Sequence, residues 1–301
     1  MENTKIKIPV PELFNKDECL WFLSRDFDDC MYRVYKDRVR RAFGEAGSIM
    51  VVDVYMMPDE LVLEWLNMKP CDQDIENVIR FVSEWFDLET DLTQFYSIIL
   101  EDKRIAHIAK EYSGLRFIGI PDLFEALAWG IIGQQINLSF AYKLKRRLVE
   151  KYGTFTLYED EKYYVFPAAE VLSEVKTDDL RALQFSEKKA EYLITIAKAF
   201  SAGTLSRELL QNLPDLESRI KYLTNIRGIG LWTANYALMK SLKEPSGIPH
   251  GDAGLLNALI NHGIIEAKND KASIEEFFKP FTGWEAYLVF YLWRTLARPK
   301  E

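Results

Sequence analysis

Leu223-Thr-Asn-Ile-Arg-Gly-Ile-Gly-Leu-Trp-Thr-Ala-Asn-Tyr236, with Gly251-Asp-Ala-Gly254 a short way beyond it, decides how the rest of the chain is read. Gly228 and Gly230 flank a single apolar residue, Ile229, and an apolar helical pattern begins immediately after them. Two glycines so placed allow a tight hairpin between helices and let the backbone come close to another molecule. The unpaired N–H groups at the start of the second helix then offer an anion site suited to a phosphate. Asp252 stands between small residues, just ahead of another apolar helical run. A phosphate cradle with a carboxylate delivered beside it points to chemistry on a nucleic acid.

The same residues carry a resemblance. Ile226-Arg-Gly-Ile-Gly-Leu-Trp-Thr-Ala-Asn-Tyr236, then Gly251-Asp-Ala-Gly-Leu255, resembles the helix-hairpin-helix, Gly-Pro-Asp motif of the base-excision DNA glycosylases, in particular the DNA-3-methyladenine glycosylase II branch. Leu123-Phe-Glu-Ala-Leu-Ala-Trp-Gly-Ile-Ile-Gly-Gln-Gln-Ile-Asn-Leu138 is similar to the branch's helix and turn ending in Gly-Gln-Gln. Gly283-Trp-Glu-Ala-Tyr-Leu-Val-Phe-Tyr-Leu-Trp-Arg294 is similar to its C-terminal helix. The three segments keep the family's order and span residues 115 to 298.

Composition sets the bounds. A 301-residue chain that is 48% hydrophobic and 13% aromatic buries a sizeable core, which excludes a disordered protein. No apolar run reaches the roughly 20 residues of a membrane span, and the start of the chain lacks the basic-then-apolar layout of a secretory leader. Cys19, Cys30 and Cys71 are odd in number and show no metal-ligand spacing, so a reduced, cytoplasmic protein is expected. Some members of the wider family carry a four-cysteine iron–sulfur cluster after the catalytic region; no cysteine follows Cys71 here. The net charge of −8 sits awkwardly with DNA binding. The charge is uneven, however: residues 1–100 hold 11 Lys and Arg against 20 Asp and Glu, the remainder 27 against 26. Within that remainder, Lys143-Leu-Lys-Arg-Arg147 is a concentrated basic stretch.

An α+β architecture is expected. Residues 1–100 read as an N-terminal antiparallel-sheet domain with helices. Strand-like alternation runs through 31–36, 48–56 and 61–66, and a helical face of Ile75, Val78, Ile79, Val82 and Trp85 follows. Residues 101–301 read as mostly helical, in two subdomains, with the helix-hairpin-helix at about 220–241. Helices are expected at 92–103, 122–132, 137–152, 168–174, 177–183, 186–202, 206–212, 213–222, 231–241, 253–261, 273–278 and 284–296, several opened by cap residues such as Thr177 and Ser186.

The resemblance implies roles residue by residue. Cleavage of the bond between a base nitrogen and the deoxyribose C1′ develops oxocarbenium character in the sugar. Asp252 is the candidate to stabilise that charge or to direct water. By residue type alone it is also a good N-cap for a helix starting at Ala253, and the two roles are compatible. Bifunctional relatives place a lysine two residues after the second glycine. Trp232 stands there instead and cannot form a Schiff base, so a monofunctional enzyme is implied. Lys240 and Lys243 read as surface residues. Trp232, Tyr236 and Trp284 would line the base pocket, with core packing as the alternative, most evenly balanced for Trp284; Phe290, Tyr291 and Trp293 read as packing residues. Electron-rich rings attract a cationic alkylpurine, each contact contributing about 0.5–2 kcal/mol.

Flipping the base requires a wedge and a grip on the backbone. Gln135 is the first candidate wedge and Ile136 the second, with Gln134 beside them as a DNA-binding or simple turn residue. Gly228, Gly230 and Trp232 would hold phosphate through backbone N–H groups, and His250 would contact a phosphate, tune the carboxylate or stand as a solvated loop histidine. By the same resemblance a monovalent cation would rest on backbone carbonyls among Thr224, Ile226 and Ile229. No cofactor and no catalytic metal are implied. The expected activity is removal of alkylated purines from double-stranded DNA by a monomer. A glycosylase for oxidised or deaminated bases, or a non-catalytic DNA binder, are the alternatives.

Overall fold

The computed structural model describes residues 4–25 and 29–296, so Met1 to Asn3, the start of the stretch without a leader pattern, lie outside it. Strands β1 (Lys5–Pro9), β2 (Tyr32–Val34), β3 (Arg38–Phe43), β4 (Met50–Met56) and β5 (Glu60–Trp65) form one antiparallel sheet in the order β1-β5-β4-β3-β2. Helix α1 (Lys16–Leu23) comes between β1 and β2, and α2 (Asp72–Trp85) follows β5. Side chains alternate across a strand. Met50, Val52, Val54 and Met56 of β4 therefore enter one core with Val78, Val82 and Trp85 of α2, while Val51 turns to the opposite face. That face is covered from far along the chain. A hairpin of β6 (Thr154–Tyr158) and β7 (Glu161–Val165) lays Tyr163 and Val165 against it. Burial on both faces is why β4 reads as a nearly continuous apolar run.

Alternation does not reveal β1, β3 or the late hairpin. In β3 the reason is charge. Arg38, Arg40 and Arg41 look like surface residues, yet Arg40 and Arg41 are buried. Arg40 grips Asp53 with two bonds, Nε to Oδ1 at 2.7 Å and Nη2 to Oδ2 at 2.9 Å. It also reaches Glu159 of the hairpin at 2.8 Å. A planar guanidinium matches a carboxylate in this bidentate way, so the charge need not face water.

The remaining chain is helical: α3 (Thr93–Glu101), α4 (Ala106–Glu111), α5 (Leu123–Gly133), α6 (Leu138–Tyr152), α7 (Ala169–Ser173), α8 (Thr177–Ala182), α9 (Glu187–Ser201), α10 (Arg207–Gln211), α11 (Leu216–Thr224), α12 (Leu231–Leu242), α13 (Ala253–Asn261), α14 (Lys271–Phe278) and α15 (Glu285–Thr295). Asp122, Asn137, Ser186 and Asp215 cap their helices through side-chain oxygens. Thr177, expected as a cap, is instead the first residue of α8, and Lys176 holds the cap position. Two cores result. One joins the sheet and α1 to α4 with α13 to α15, and the other gathers α5 to α12. Helix α12 is the seam: Ala234, Ala237 and Leu238 enter the second core, Met239 the first, and Tyr236 packs on both. Among the described residues no helix is long and apolar enough to cross a membrane.

An ion network ties the sheet to the helices. Glu125 of α5 accepts from Lys145 of α6 at 3.0 Å and from Arg41 of β3 at 3.2 Å, and Lys145 also donates to Asp29 at 3.1 Å. The basic stretch at 143–147 is thus largely committed. Lys145 points inward, Arg146 pairs with Glu150 at 3.3 Å, and Arg147 holds the Leu183 carbonyl at 3.3 Å. Burial pushes the Glu125 carboxyl up, but Lys145 and then Arg41 outweigh burial and hold it below the usual glutamate value. The network's stabilisation is therefore present above the unfolded-state value and lost as pH falls through the depressed native one. Glu125→Gln should lower the unfolding free energy by about 3 kcal/mol at neutral pH, and the gap to the parent should close on acidification. Urea titrations across acidic pH measure this, and a gap independent of pH would contradict it.

Candidate functional site

The hairpin between α11 and α12 is built on one residue that must be glycine. Gly228 has φ +101°, and a Cβ there would fall 2.3 Å from Cγ of Tyr192 on α9. Ile229, between the glycines, is buried in the second core and anchors the turn. Its N–H donates to the Ile226 carbonyl at 3.1 Å. Gly230 is the N-cap of α12 and supplies no side-chain bond, so the first-turn amides of Leu231, Trp232 and Thr233 have no capping partner. A Cβ at Gly230 would meet nothing inside the protein, so its bareness serves whatever approaches from outside. Gln134, just after α5, donates through Nε2 to the Gly228 carbonyl and to Thr233 Oγ1, both at 3.1 Å. The Gly-Gln-Gln turn is thereby strapped to the hairpin.

Across the cleft stands the carboxylate. Asp252 is the N-cap of α13, its Oδ1 accepting from the Leu255 N–H at 2.7 Å. The same oxygen accepts from Trp293 Nε1 of α15 at 2.8 Å, and Oδ2 accepts from Trp232 Nε1 of α12 at 3.1 Å. An indole N–H only donates, so each bond requires a carboxylate oxygen and together they fix its plane. Gly254 is small for the same reason: a Cβ there would lie 3.1 Å from Asp252 Oδ1 and 3.3 Å from the Trp293 ring.

Trp232 and Tyr236, four residues apart on one helix face, stack with ring centroids 5.1 Å apart and 16° between planes. Trp293 tilts toward Tyr236 at 6.3 Å. Residues 133–137, 228–233 and 251–253, with Tyr192, line an open cleft of about 960 Å³. Further in, Tyr236 lines a second, much smaller cavity of about 80 Å³ with Trp129, Tyr142 and Lys145. Burial there pushes the Tyr236 phenol well up.

The structure brings Asp252, Trp232, Gln134, Gln135, Ile136, Gly228 and Gly230 into one cleft, with Tyr236 stacked directly behind. Gln135 is exposed at φ +54°, a left-handed conformation that costs a non-glycine residue about 1 kcal/mol or more. Ile136 is half-buried against the second core, and the Gln134 amide is spent on the strap. Trp284 is elsewhere: its ring packs on Phe95 at 5.9 Å and on Tyr287 at 6.1 Å, in a separate pocket that also contains Asp87 and Lys243. Trp293, read from the sequence as a packing residue, instead joins Trp232 in donating to Asp252. Trp284 is the N-cap just ahead of α15 and Trp293 lies near the helix's end, so their rings enter different surroundings.

His250 is exposed near Glu275 and Lys271. The Thr224 hydroxyl turns back to the Ile220 carbonyl at 2.8 Å. Lys240 and Lys243 are not free surface residues. Lys240 is 6% exposed, donates to the Ile118 carbonyl amid the rings of Phe22, Phe117 and Phe290, and is pushed by burial down to about 7. Lys243 pairs with Asp87 at 2.8 Å. The burial of Lys240 follows from the position of α12 between the two cores, and Lys243, at the helix C-cap, is half-buried. Tyr192 carries no signal in the sequence, because its place beside Gly228 depends on how α9 packs.

Comparison with known proteins gives the chain's family and fold. Residues 128–282 match the HhH-GPD superfamily base excision DNA repair protein family, and residues 14–127 match the 8-oxoguanine DNA glycosylase N-terminal domain. A DNA-3-methyladenine glycosylase of Bacillus subtilis (strain 168) is 40% identical over 300 residues, covering 98% of each chain. The solved structure of a 3-methyladenine DNA-glycosylase from Archaeoglobus fulgidus superposes with a TM-score of 0.81 at 24% identity, over 96% of this chain and 97% of that one. That of a Clostridium acetobutylicum 8-oxoguanine glycosylase/lyase in complex with double-stranded DNA superposes at 0.67 and 22% identity, over 90% and 99%. At those identities the superpositions show a shared fold, whereas the family match and the Bacillus relative show descent. With its glycine hairpin, its Asp252-capped helix and this kinship, the chain belongs to the HhH-GPD superfamily of base excision DNA repair proteins.

Proposed function

We propose that the protein is a monofunctional DNA glycosylase that hydrolyses the N-glycosidic bond of alkylated purines in double-stranded DNA and leaves an abasic site. The observation that carries this reading is the Asp252 carboxylate, oriented by two indole N–H groups beside the Trp232–Tyr236 stack. The name of the 40%-identical Bacillus relative supports the alkylated-base class.

In this mechanism the hairpin holds the strand and the exposed Gln135 enters the gap left by the extruded nucleotide. The extruded purine packs against the Trp232 ring in the open cleft, with Tyr236 stacked behind that ring. A base alkylated at nitrogen is cationic, so the ring faces favour it and it leaves without a strong general acid. As the bond to C1′ lengthens, positive charge moves to the sugar and Asp252 stabilises it. Water completes the reaction, bonding its oxygen to C1′ and giving up a proton, while the base departs with the electron pair of the broken bond. Trp232 occupies the position of the lysine in bifunctional relatives, so no covalent enzyme–sugar bond forms and the strand stays intact. A monovalent cation on the hairpin carbonyls would share Ile226, whose carbonyl already accepts the Ile229 N–H; no step depends on it.

A second reading, action on oxidised bases, draws support from the N-terminal match to the 8-oxoguanine DNA glycosylase domain. Comparing release of 3-methyladenine, 7-methylguanine and 8-oxoguanine from treated DNA decides between the two: the proposal predicts the first two, and release of 8-oxoguanine alone would replace it.

Asp252→Asn should lower single-turnover base release by about a thousandfold or more while duplex binding persists. The substituted amide still accepts from Trp293 but turns a second donor toward Trp232. Base release at the parent rate would refute the assignment. Trp293→Phe keeps an aromatic, though smaller, side chain and removes the donor. It should slow release by about tenfold without altering the reaction's products, and unchanged kinetics would mean that the indole bond does not set the carboxylate.

A further inference from the structure

The cleft that carries Asp252 contains no basic side chain among its lining residues. Arg227, on the hairpin, is paired with Glu191 at 2.8 Å, and Lys145, Arg146 and Arg147 of α6 are held as described, while Lys143 is exposed outside this lining. Within the cleft a strand phosphate therefore meets neutral donors and one nearby carboxylate. Lysine or arginine at this place would add attraction but would also draw Asp252 away from the sugar. A neutral hydroxyl avoids that competition.

Tyr192 is placed to supply it. Its ring lies against Gly228, so closely that no side chain larger than hydrogen fits there. It lines the same cleft as Gly230, Trp232 and Asp252. The adjacent Glu191–Arg227 pair ties α9 to the hairpin, which makes ring and turn one unit. Among the described residues the phenol oxygen has no hydrogen-bond partner.

We propose that Tyr192 is a further DNA-holding residue: its ring braces the Gly228 turn and its hydroxyl donates to the backbone phosphate seated at the hairpin. This rests on the DNA-binding reading above. A hydrogen bond to an ionised phosphate is stronger than a neutral one, yet a hydroxyl displaces no counterion. Its loss should weaken binding equally at every salt concentration.

The test uses the full chain as parent, Tyr192→Phe and Tyr192→Ala. Affinity is measured for a duplex carrying a tetrahydrofuran abasic-site analogue across a potassium chloride series, beside thermal unfolding. The phenylalanine variant should unfold at the parent temperature and bind about tenfold more weakly, with an unchanged slope of log Kd on log salt. The alanine variant should bind at least as weakly and unfold at lower temperature, because the brace is gone. A phenylalanine variant that binds like the parent overturns the proposal, and so does one whose salt slope changes, since a charged contact would then have been lost. A parent without preference for the abasic duplex over undamaged duplex would overturn the repair reading itself, a result separable from either outcome at Tyr192.

Discussion

One carboxylate held between two indoles is the constraint on which the rest of the site depends. Trp232 reaches Asp252 from the seam helix α12, and Trp293 reaches it from α15, in the core that contains the sheet. The orientation of the acid therefore reports how the two cores are set against each other. The backbone amide of Leu255 adds a third donor, so the cap of α13 and the chemistry share one side chain. Gly254 gives room for this arrangement, and the strap from Gln134 to the hairpin holds the opposing wall. The cost falls on any change to the α12–α15 interface, even one far from DNA.

The second constraint is electrostatic. A chain of net charge −8 that works on a polyanion would be expected to collect its cations at the contact surface. Part of its basic charge is spent inside instead: Arg40 on Asp53, Arg41 and Lys145 on Glu125, and Arg116 on the Leu13 and Thr90 carbonyls. Burying a guanidinium is tolerable only when its donors are matched, and these are. The cleft is left nearly neutral apart from Asp252. That suits a site whose task is to favour a positive charge appearing on sugar and base, because a lysine beside Asp252 would stabilise the resting carboxylate and leave less for the transition state.

What was legible in the sequence was local. Gly228, Ile229 and Gly230 form the hairpin within a few residues of one another, and Trp232 and Tyr236 share a face by helical period alone. Asp252 announces both its cap and its place beside small residues. Contacts between elements distant in sequence were not legible. Trp293 and Trp284 are both aromatic residues on one amphipathic helix, and only the packing of α15 on α13 decides which of them meets the acid. Tyr192 belongs to the site through α9, and nothing in its neighbours indicates that. Charged residues misled in the same way. The arginines of β3 and Lys145 of α6 have the composition of a surface, and their burial depends on partners contributed by other elements, among them Asp53 and Glu125.

If Asp252 faces a cation forming at the sugar, the protein should distinguish two abasic-site analogues that differ in little but charge. The direct measurement is the affinity of parent and Asp252→Asn for duplexes carrying a cationic pyrrolidine ring or a neutral tetrahydrofuran ring at the same position. The account predicts that the parent binds the pyrrolidine duplex more tightly by about a hundredfold and that this preference disappears in the asparagine variant. Equal affinity in the parent, or a preference that survives loss of the carboxylate, would contradict it.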